Sequence, residues 1–487
     1  MESAIVATRH GKVRGRLLEN GVAAYLGIPY AAPPFGANRF REPRPPASWD
    51  GVRDTVEYGA TVPKPGYPRP FDKLLPDPVV PGEDCLNLNV WTPDPGGSGL
   101  PVMVWIHGGA FRNGSGAVPI YSGANFARDG VVCVTLNYRL GVEGFGHFPD
   151  APSNRGLRDQ ISALEWVRDN IAGFGGDPDN VTVFGESAGA MSVNTLLSLD
   201  LGLFRRAIAQ SGGGNVAQTP EDATLVLAET ARRLGVEPTA EAFAQIAPSA
   251  IIPVQAGVAA EVATLPDPGR WGPTTARTAM AYVPVLDGDL LTRTAEDGIA
   301  AGAAAGTDLL IGCTTEEFRL FLMPNGLAKV VTDDLVAPIA SAMGAPAAVI
   351  DAHRDLYADP GERLAALITE SLFRIPATRL AASHRARTWM YEFAWRSPVH
   401  DLGACHALEL GFVFDNLDSA DPDGLAGPNP PQPLADTMHK AWVDFATSGN
   451  PGWPQYTPGT RQTRRFGDAK NPLVNAPNEN LRRLWDA

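Results

Sequence analysis

Between residues 88 and 210 two kinds of apolar pattern alternate along the chain. The runs "LNLNVWTP", "LPVMVWIHGG", "GVVCVTLNYRL", "NVTVFG" and "FRRAIAQSG" have the length and near-continuous hydrophobicity of strands buried on both faces. Between them "RDQISALEWVRDNIAGFGGDP" places Ile161, Leu164, Val167 and Ile171 at helical spacing, with "GG" and "DP" to end the helix, and "AGAMSVNTLLSL" reads as a second helix. Strands alternating with helices predict an α/β chain with a large, mostly parallel twisted sheet flanked by helices.

The flanks extend this pattern. Two short β-like runs open the chain, "AIVATRHGKVRG" and "VAAYLGIPYA". The stretches "AAPPFGANRFREPRPPASW" and "ATVPKPGYPRPFDKLLPDPVVPGED" are rich in proline, which cannot donate to a sheet ladder, so they predict surface connections long enough to serve as binding loops. About 216–300 and 325–385 read as helical insertions. "TDLLIGCTTEE" and "RTWMYEFAWR" are later strands, and "TMHKAWVDFATSGNP" is a C-terminal helix stopped by Gly449 and Pro451. No repeat period interrupts the chain, and 1–487 is expected to be a single domain.

Composition narrows the functional classes. A formal net charge of −14 argues against a nucleic-acid partner, which calls for a basic face, and gives no support for docking to an anionic membrane. No run approaches the roughly 18 apolar residues that span a bilayer. "MESAIVATRHGKVRG" lacks the basic-then-apolar order of an export signal. The four cysteines, Cys85, Cys133, Cys313 and Cys405, form no CxxC pair, and no HExxH or clustered His/Asp spacing points to a metal. A cytoplasmic location is the simplest expectation, with no cofactor, no metal and no macromolecular partner. The oligomeric state is open, a monomer included.

The chemistry concentrates at "VTVFGESAGAM", residues 181–191. "GESAG" fits G-x-S-x-G, a short pattern that carries weight because a strand precedes it and a helix follows. In that setting Ser187 stands on a tight turn, Gly185 and Gly189 permit close backbone approach, and the helix start favours negative charge. The plain alternative is a strand-to-helix turn with a capping serine. "VMVWIHGGAFRNGSG" supplies a second turn whose small residues expose backbone amides. The expected oxyanion donors are Gly109 and Ala110, joined by Ala188, while His107 is read as part of the turn.

A serine hydroxyl also needs a base and a group that orients the base. Downstream stand His353, His384, His400, His406 and His439. His384 reads as an exposed helix position, His439 as part of an amphipathic helix and His400 as a loop residue. His406, in "GACHALELGFVF", is the leading candidate without displacing the others. For the acid, Glu316 and Glu317 follow a strand, and only one of two neighbours should face the histidine.

Taken together, these segments resemble the type-B carboxylesterase family. The likeness runs nearly the length of the chain, through "YLGIPYAAPPFGANRFREP", "GEDCLNLNVW", "VWIHGGAF", "NYRLGVEGF", "NRGLRDQISALEWVRDNIAGFGGDPDNVTVFGESAGA", "VPVLDGDLL", "CHALELGFVF" and "WVDFATSGNPGWPQY". The resemblance implies an α/β-hydrolase fold, helical insertions forming a cap over the site, and a Ser187–His406–Glu317 triad that hydrolyses small-molecule carboxylic esters through an acyl-enzyme. It also implies supporting positions at Glu186, Ser211 and Glu409, and ion pairs of Arg39 with Glu83 and of Arg139 with Asp159. An enzyme acting on amides, carbamates or lipids with the same triad is the alternative, and a non-catalytic binding protein on the same fold is a third reading.

The chain departs from the family pattern in places. Phe318 replaces the usual glycine after the acid and is expected to narrow or reshape the site. The oxyanion turn reads "GGA". No cysteine precedes Cys85, so the disulfide of secreted relatives is absent and the 61–82 loop is not closed by it. No Trp lies between Trp49 and Trp91, which speaks against the choline specificity of cholinesterase members. The substrate pockets are expected to be lined by the Pro-rich loop, Phe111, Phe318 and the helical insertions.

Overall fold

In the computed structural model, which describes residues 5–419 and 424–487, the strands are β1 (Ile5–Thr8), β2 (Gly11–Arg14), β3 (Arg16–Leu17), β4 (Ala23–Pro29), β5 (Val52–Asp54), β6 (Asn87–Thr92), β7 (Leu100–Ile106), β8 (Val132–Leu136), β9 (Gly176–Glu186), β10 (Arg206–Gln210), β11 (Asp308–Thr314), β12 (Thr388–Phe393), β13 (Gln462–Phe466) and β14 (Leu473–Asn475). Residues 1–4 of the opening stretch, read above for an export signal, lie outside the described residues. β1, β2 and β5 form a small separate sheet. The other eleven make one sheet in the order β14-β13-β12-β11-β10-β9-β7-β8-β6-β4-β3.

The heart of this sheet, from β8 through β7, β9, β10, β11 and β12 to β13, is parallel throughout. Parallel neighbours need long crossovers, and helices supply them here. The two ends differ: β6, β4 and β3 at one edge and β14 at the other run antiparallel to their neighbours, so the sheet is mixed. Residue alternation buries both faces. In β7, Val102, Val104 and Ile106 join one core with Leu164, Val167 and Leu196, while Met103 and Trp105 join the other with Trp442 and Phe445.

The helices predicted around the sheet are Arg155–Asn170, Ala188–Leu199 and Gln432–Ser448. Gly449 ends the last of these in the left-handed conformation, as its position suggested. The chain does not finish there: β13, β14 and the helix Glu479–Trp485 follow. The Ala-rich stretch after 216 holds Pro220–Leu234 and Pro248–Thr264, and the later one holds Asp333–Ala342, Ala347–Leu356 and Pro360–Thr369. A five-residue π-helical turn, Glu370–Arg374, joins Pro360–Thr369 to the helix Ile375–Ser383.

Two expected side-chain placements need correction. Arg39 pairs with Glu143 at 2.5 Å and donates to the carbonyls of Ala244 and Ile246; Glu83 is exposed on the Pro-rich connection, whereas Glu143 is buried and offers the guanidinium a desolvated carboxylate. His384 is buried, not exposed, with Nδ1 2.8 Å from Thr388 Oγ1 where its helix turns into β12. The other expected ion pair is present: Arg139 grips Asp159 through two N–H···O contacts of 2.7 and 2.8 Å, both side chains buried. All four cysteines are buried and free. No helix among the described residues is long and apolar enough to cross a membrane.

Candidate active site

The site is built where β9 ends. One residue, Ser187, separates β9 from the helix Ala188–Leu199, and it adopts φ 56°, ψ −125°. A non-glycine residue there carries about 1–3 kcal/mol of strain, so its surroundings must hold it. The Ser187 amide donates to Gln210 O on β10 at 2.9 Å, and its carbonyl accepts from Met191 N at 2.9 Å. Gly189 makes the turn possible. A side chain at that position would set its first carbon 2.0 Å from the carbonyl oxygen of Ile106. The hydroxyl of Ser187 is half-buried and bonds to no described residue.

Directly over this elbow lies the turn leaving β7. Gly109, Ala110 and Phe111 have φ of 111°, 52° and 58°, a left-handed run in which successive amides converge. Asn113 N and Arg112 N both donate to Gly109 O, at 2.9 and 3.0 Å, and Tyr138 Oη donates to His107 O at 2.8 Å. The turn comes so close to the serine that a side-chain carbon at Gly108 would sit 3.0 Å from Ser187 Cβ. The Gly109 and Ala110 amides donate to no described acceptor. Ala188 opens its helix, so its amide has no helical acceptor either. His107 is wholly buried, stacked on Tyr138, and burial pushes its pKa down to about 4, which keeps the ring neutral.

The acid and base candidates meet beyond β11. Glu317 is fully buried: Oε1 accepts from Thr314 N at 2.7 Å, and Oε2 lies 2.6 Å from His406 Nδ1. The backbone repeats the pairing, His406 N donating to Glu317 O at 3.1 Å. Glu316 turns the other way, accepting from Ala404 N at 2.9 Å and from Arg396 at 2.5 Å. The imidazole is walled by Phe373 and Phe321, with ring centroids 5.0 and 5.4 Å away.

Its other nitrogen, Nε2, is 3.0 Å from Glu186 Oε1, at an angle outside hydrogen-bonding geometry, and it makes no bond to Ser187. Burial works against a charge on His406, but the carboxylates of Glu186 and Glu317 outweigh it and hold the ring well above 6.5. Burial raises Glu186 in turn. Glu409, buried nearby, is pushed up to about 8 by burial and by the charges of Glu186 and Glu317. Glu409 Oε1 accepts from Gln210 Nε2 at 3.3 Å, and Gln210 Oε1 accepts from Trp442 Nε1 at 2.9 Å, which ties the acid to the core. Ser211 has φ 53° and a buried hydroxyl with no partner among the described residues.

A cavity of about 90 Å³ is lined by Tyr67, Leu75, Gly114, Tyr121, Ala407 and Leu408, among others; Ala407 follows His406 in sequence, but neither His406 nor Ser187 lines the cavity. A larger cleft, of about 1440 Å³, lies behind the acid loop on Glu316, Arg319, Glu370 and Arg374; neither Ser187 nor His406 lines it, so its size does not make it the reaction site. Two expected lining residues are elsewhere. Phe111 is wholly buried against Phe145 at 4.8 Å. Phe318 has ordinary helical dihedrals, so glycine is not needed there, and its ring packs on Phe321 and the core of the later helical insertion. It reaches the site through Phe321.

Residue patterns did not reveal the tie between the 61–82 loop and the turn after β7. Lys64 and Asp77, both buried, form an ion pair. Lys64 Nζ also donates to Gly114 O at 3.2 Å, and Asp77 Oδ2 accepts from Gly114 N and Asn113 Nδ2, each at 3.2 Å. Nor did they single out Tyr67 or Phe373. The i, i+4 spacing of Phe321 from Glu317 was the one local signal available. Among the described residues no group of three or more His, Cys, Asp and Glu side chains is arranged to hold a metal.

Comparison with known proteins gives one family. A model described as "Carboxylesterase family" matches residues 2–485. The chain is 40% identical to a para-nitrobenzyl esterase of Bacillus subtilis, over 99% of this chain and 98% of that one. It is 35% identical to a phenmedipham hydrolase of Pseudarthrobacter oxydans, over 91% of each. A carboxylesterase structure from Geobacillus stearothermophilus superposes with a TM-score of 0.85 at 36% identity, over 99% of both chains.

Proposed function

The chain belongs to the carboxylesterase family, has the α/β-hydrolase fold and is a carboxylesterase acting on small-molecule esters, and from that premise we propose that Ser187, His406 and Glu317 carry the reaction through an acyl-enzyme. The observation that carries the reading is the buried pair of His406 Nδ1 and Glu317 Oε2, 2.6 Å apart, next to a serine held on a strained turn. With Nδ1–H donated to Glu317, Nε2 is left to accept the Ser187 proton. For this the ring leaves Glu186 and engages the hydroxyl.

The freed oxygen attacks the ester carbonyl. The charge that develops on the carbonyl oxygen is met by the amides of Gly109, Ala110 and Ala188, each worth about 3 kcal/mol of barrier. The imidazolium, steadied by Glu317, gives its proton to the departing alcohol. A water then enters, loses a proton to the same nitrogen and releases the acid, so that ester and water become acid and alcohol. Glu186, Ser211 and Glu409 act by holding these groups. The chain works as a single domain, with the helical insertions at about 216–300 and 325–385 closing over the site; Phe373 gives the second of these a direct contact with His406.

Ser187→Ala tests the assignment. Turnover of short-acyl aryl esters and covalent labelling by an organophosphate should both vanish while the thermal melt stays unchanged. Ester turnover surviving in a clean preparation of this variant would end the proposal. Since one relative is named for phenmedipham hydrolysis, that compound belongs in the substrate panel beside simple esters.

A further inference from the structure

The π-helical turn Glu370–Arg374 breaks the regular helix where the later insertion meets two members of the proposed triad. In an α-helix residues five apart point about 140° away from each other, whereas i→i+5 bonding brings positions four and five apart toward one face. Thr369 precedes the turn, and Phe373 and Arg374 stand four and five residues on; all three reach the segments that carry Glu317 and His406. Thr369 Oγ1 accepts from Phe318 N at 3.1 Å, and Arg374 Nη2 donates to Thr315 O at 2.9 Å. These two bonds grip the acid loop on either side of Glu317. Phe373 stands 5.0 Å from His406 between ring centroids. One turn therefore braces the acid and the base together.

A distant part of the chain holds this brace. Trp485, in the helix Glu479–Trp485, is buried in one cluster with Ile368, Leu372, Phe373 and Ile375. Its Nε1 donates to Glu370 Oε2 at 2.7 Å, and this is the one hydrogen bond that the Glu370 side chain makes with a described residue. The other polar groups near its oxygens stand farther off: Arg374 Nη1 at 3.5 Å, and His353 Nε2 at 3.7 Å, with His353 Nδ1 turned to Val349 O at 2.9 Å. Arg379 fastens the same helix from outside, donating to Trp485 O at 2.9 Å. A buried carboxylate stripped of its donor moves toward water or another donor. Glu370 lines the cleft of about 1440 Å³, so water is close by, and a shift of Glu370 is a shift of the turn that it opens.

We propose that Trp485 is a positioning residue of the reaction: through its bond to Glu370 it fixes the π-helical turn, and the turn fixes Glu317 and His406 relative to each other. This rests on the reading of Ser187, His406 and Glu317 as the triad, and it adds a residue 79 positions beyond His406 to the apparatus that orients the base. Loss of the bond falls on kcat and not on KM, because what is lost is the alignment of acid and base in the transition state.

The test is Trp485→Phe, which keeps an aromatic ring in the cluster and removes the donor. With a short-acyl aryl ester, measured well below the melting temperature, kcat should fall about tenfold with KM within about twofold. The rate at which an organophosphate labels Ser187 should fall by the same factor. Adding Glu370→Gln to Trp485→Phe leaves no buried charge stranded, so the double variant should recover most of the lost kcat. A purely structural role for Trp485 would lower the melting temperature and leave kcat, KM and labelling where they were. Trp485→Phe with kcat and labelling within about twofold of the unaltered enzyme, a loss confined to KM, or a double variant no faster than the single one would each overturn the proposal. Should Trp485→Phe give no folded protein, Arg379→Met replaces it, since that change frees the Trp485 carbonyl from the surface side; kcat should fall about threefold at unchanged KM, and an unchanged kcat would overturn the proposal. An active enzyme whose kcat ignores these changes defeats this inference alone. Ester turnover that survives Ser187→Ala removes the triad reading and this one with it.

Discussion

Replacing Lys64 with methionine should open the 61–82 loop and slow the enzyme without unfolding it. The perturbation is confined to a small, closed set of contacts. Lys64 and Asp77 stand 13 residues apart, with side chains only 1% and 4% exposed, and between them they hold both the carbonyl and the amide of Gly114. Gly114 packs on the turn after β7 so closely that a side chain there would start 2.5 Å from Gly108 O. Removing the ammonium leaves Asp77 buried with two 3.2 Å hydrogen bonds as its remaining support. Losing one partner of a buried ion pair costs about 3–5 kcal/mol.

That figure is similar to the stabilisation of about 3 kcal/mol expected of a disulfide closing a loop of about 15 residues, so the pair can do for this loop what the absent cross-link does in secreted relatives. A cost of this size falls on local opening and multiplies the open population about a hundredfold or more. Limited proteolysis with a protease selective for aromatic residues should show it, since Tyr67 and Phe71 both lie in the loop. Cleavage there should accelerate in proportion to the open population when reclosing is fast. In parallel, kcat on a short-acyl ester should fall, because Gly114 no longer fixes the turn that carries the Gly109 and Ala110 amides. Loop cleavage and kcat both within about threefold of the unaltered enzyme would refute the reasoning. In the double change Lys64→Met with Asp77→Leu, much of the loss should return, since no buried charge is stranded.

Two further predictions concern protons. Glu186 and Glu317 hold His406 well above 6.5, and the base must be neutral to act, so the acid limb of the kcat/KM profile should lie above 6.5 and move to lower pH in Glu186→Gln; a limb that does not move refutes this role for Glu186. Glu409 keeps its proton to about 8 in the folded chain but loses it near about 4.3 when unfolded, so the folded state binds the extra proton across that window and the group's contribution to stability declines as pH rises through it. Melting temperatures of Glu409→Gln and the unaltered protein should therefore be closest near pH 4 and separate in favour of the variant toward pH 9, and parallel curves would contradict the assignment.

What could be read from residues alone follows the range of the forces involved. The elbow was legible because its geometry is local: a buried strand, a glycine that admits Ile106 O, and a helix start fall within eleven consecutive residues. Strand direction is not written in hydrophobic pattern, since parallel and antiparallel strands buried on both faces bury the same residues. The antiparallel runs of β4 and β6 were therefore indistinguishable from the rest. β13, "QTRRF", escaped notice because a five-residue strand with two arginines, paired between β12 and the short β14, has little apolar signal. Partners distant in sequence were harder still. Arg39 reaches Glu143, 104 residues on, and nothing in either neighbourhood names the other.

The same limit kept the Lys64–Asp77 pair out of view, since the Pro-rich stretch read only as a surface connection. Charge marks a residue as exposed only when no partner waits inside, and Lys64, Asp77 and Arg112 divide on that point. The first two satisfy each other and fasten the loop to the turn after β7. The third sits on that turn and forms no ion pair with a described residue.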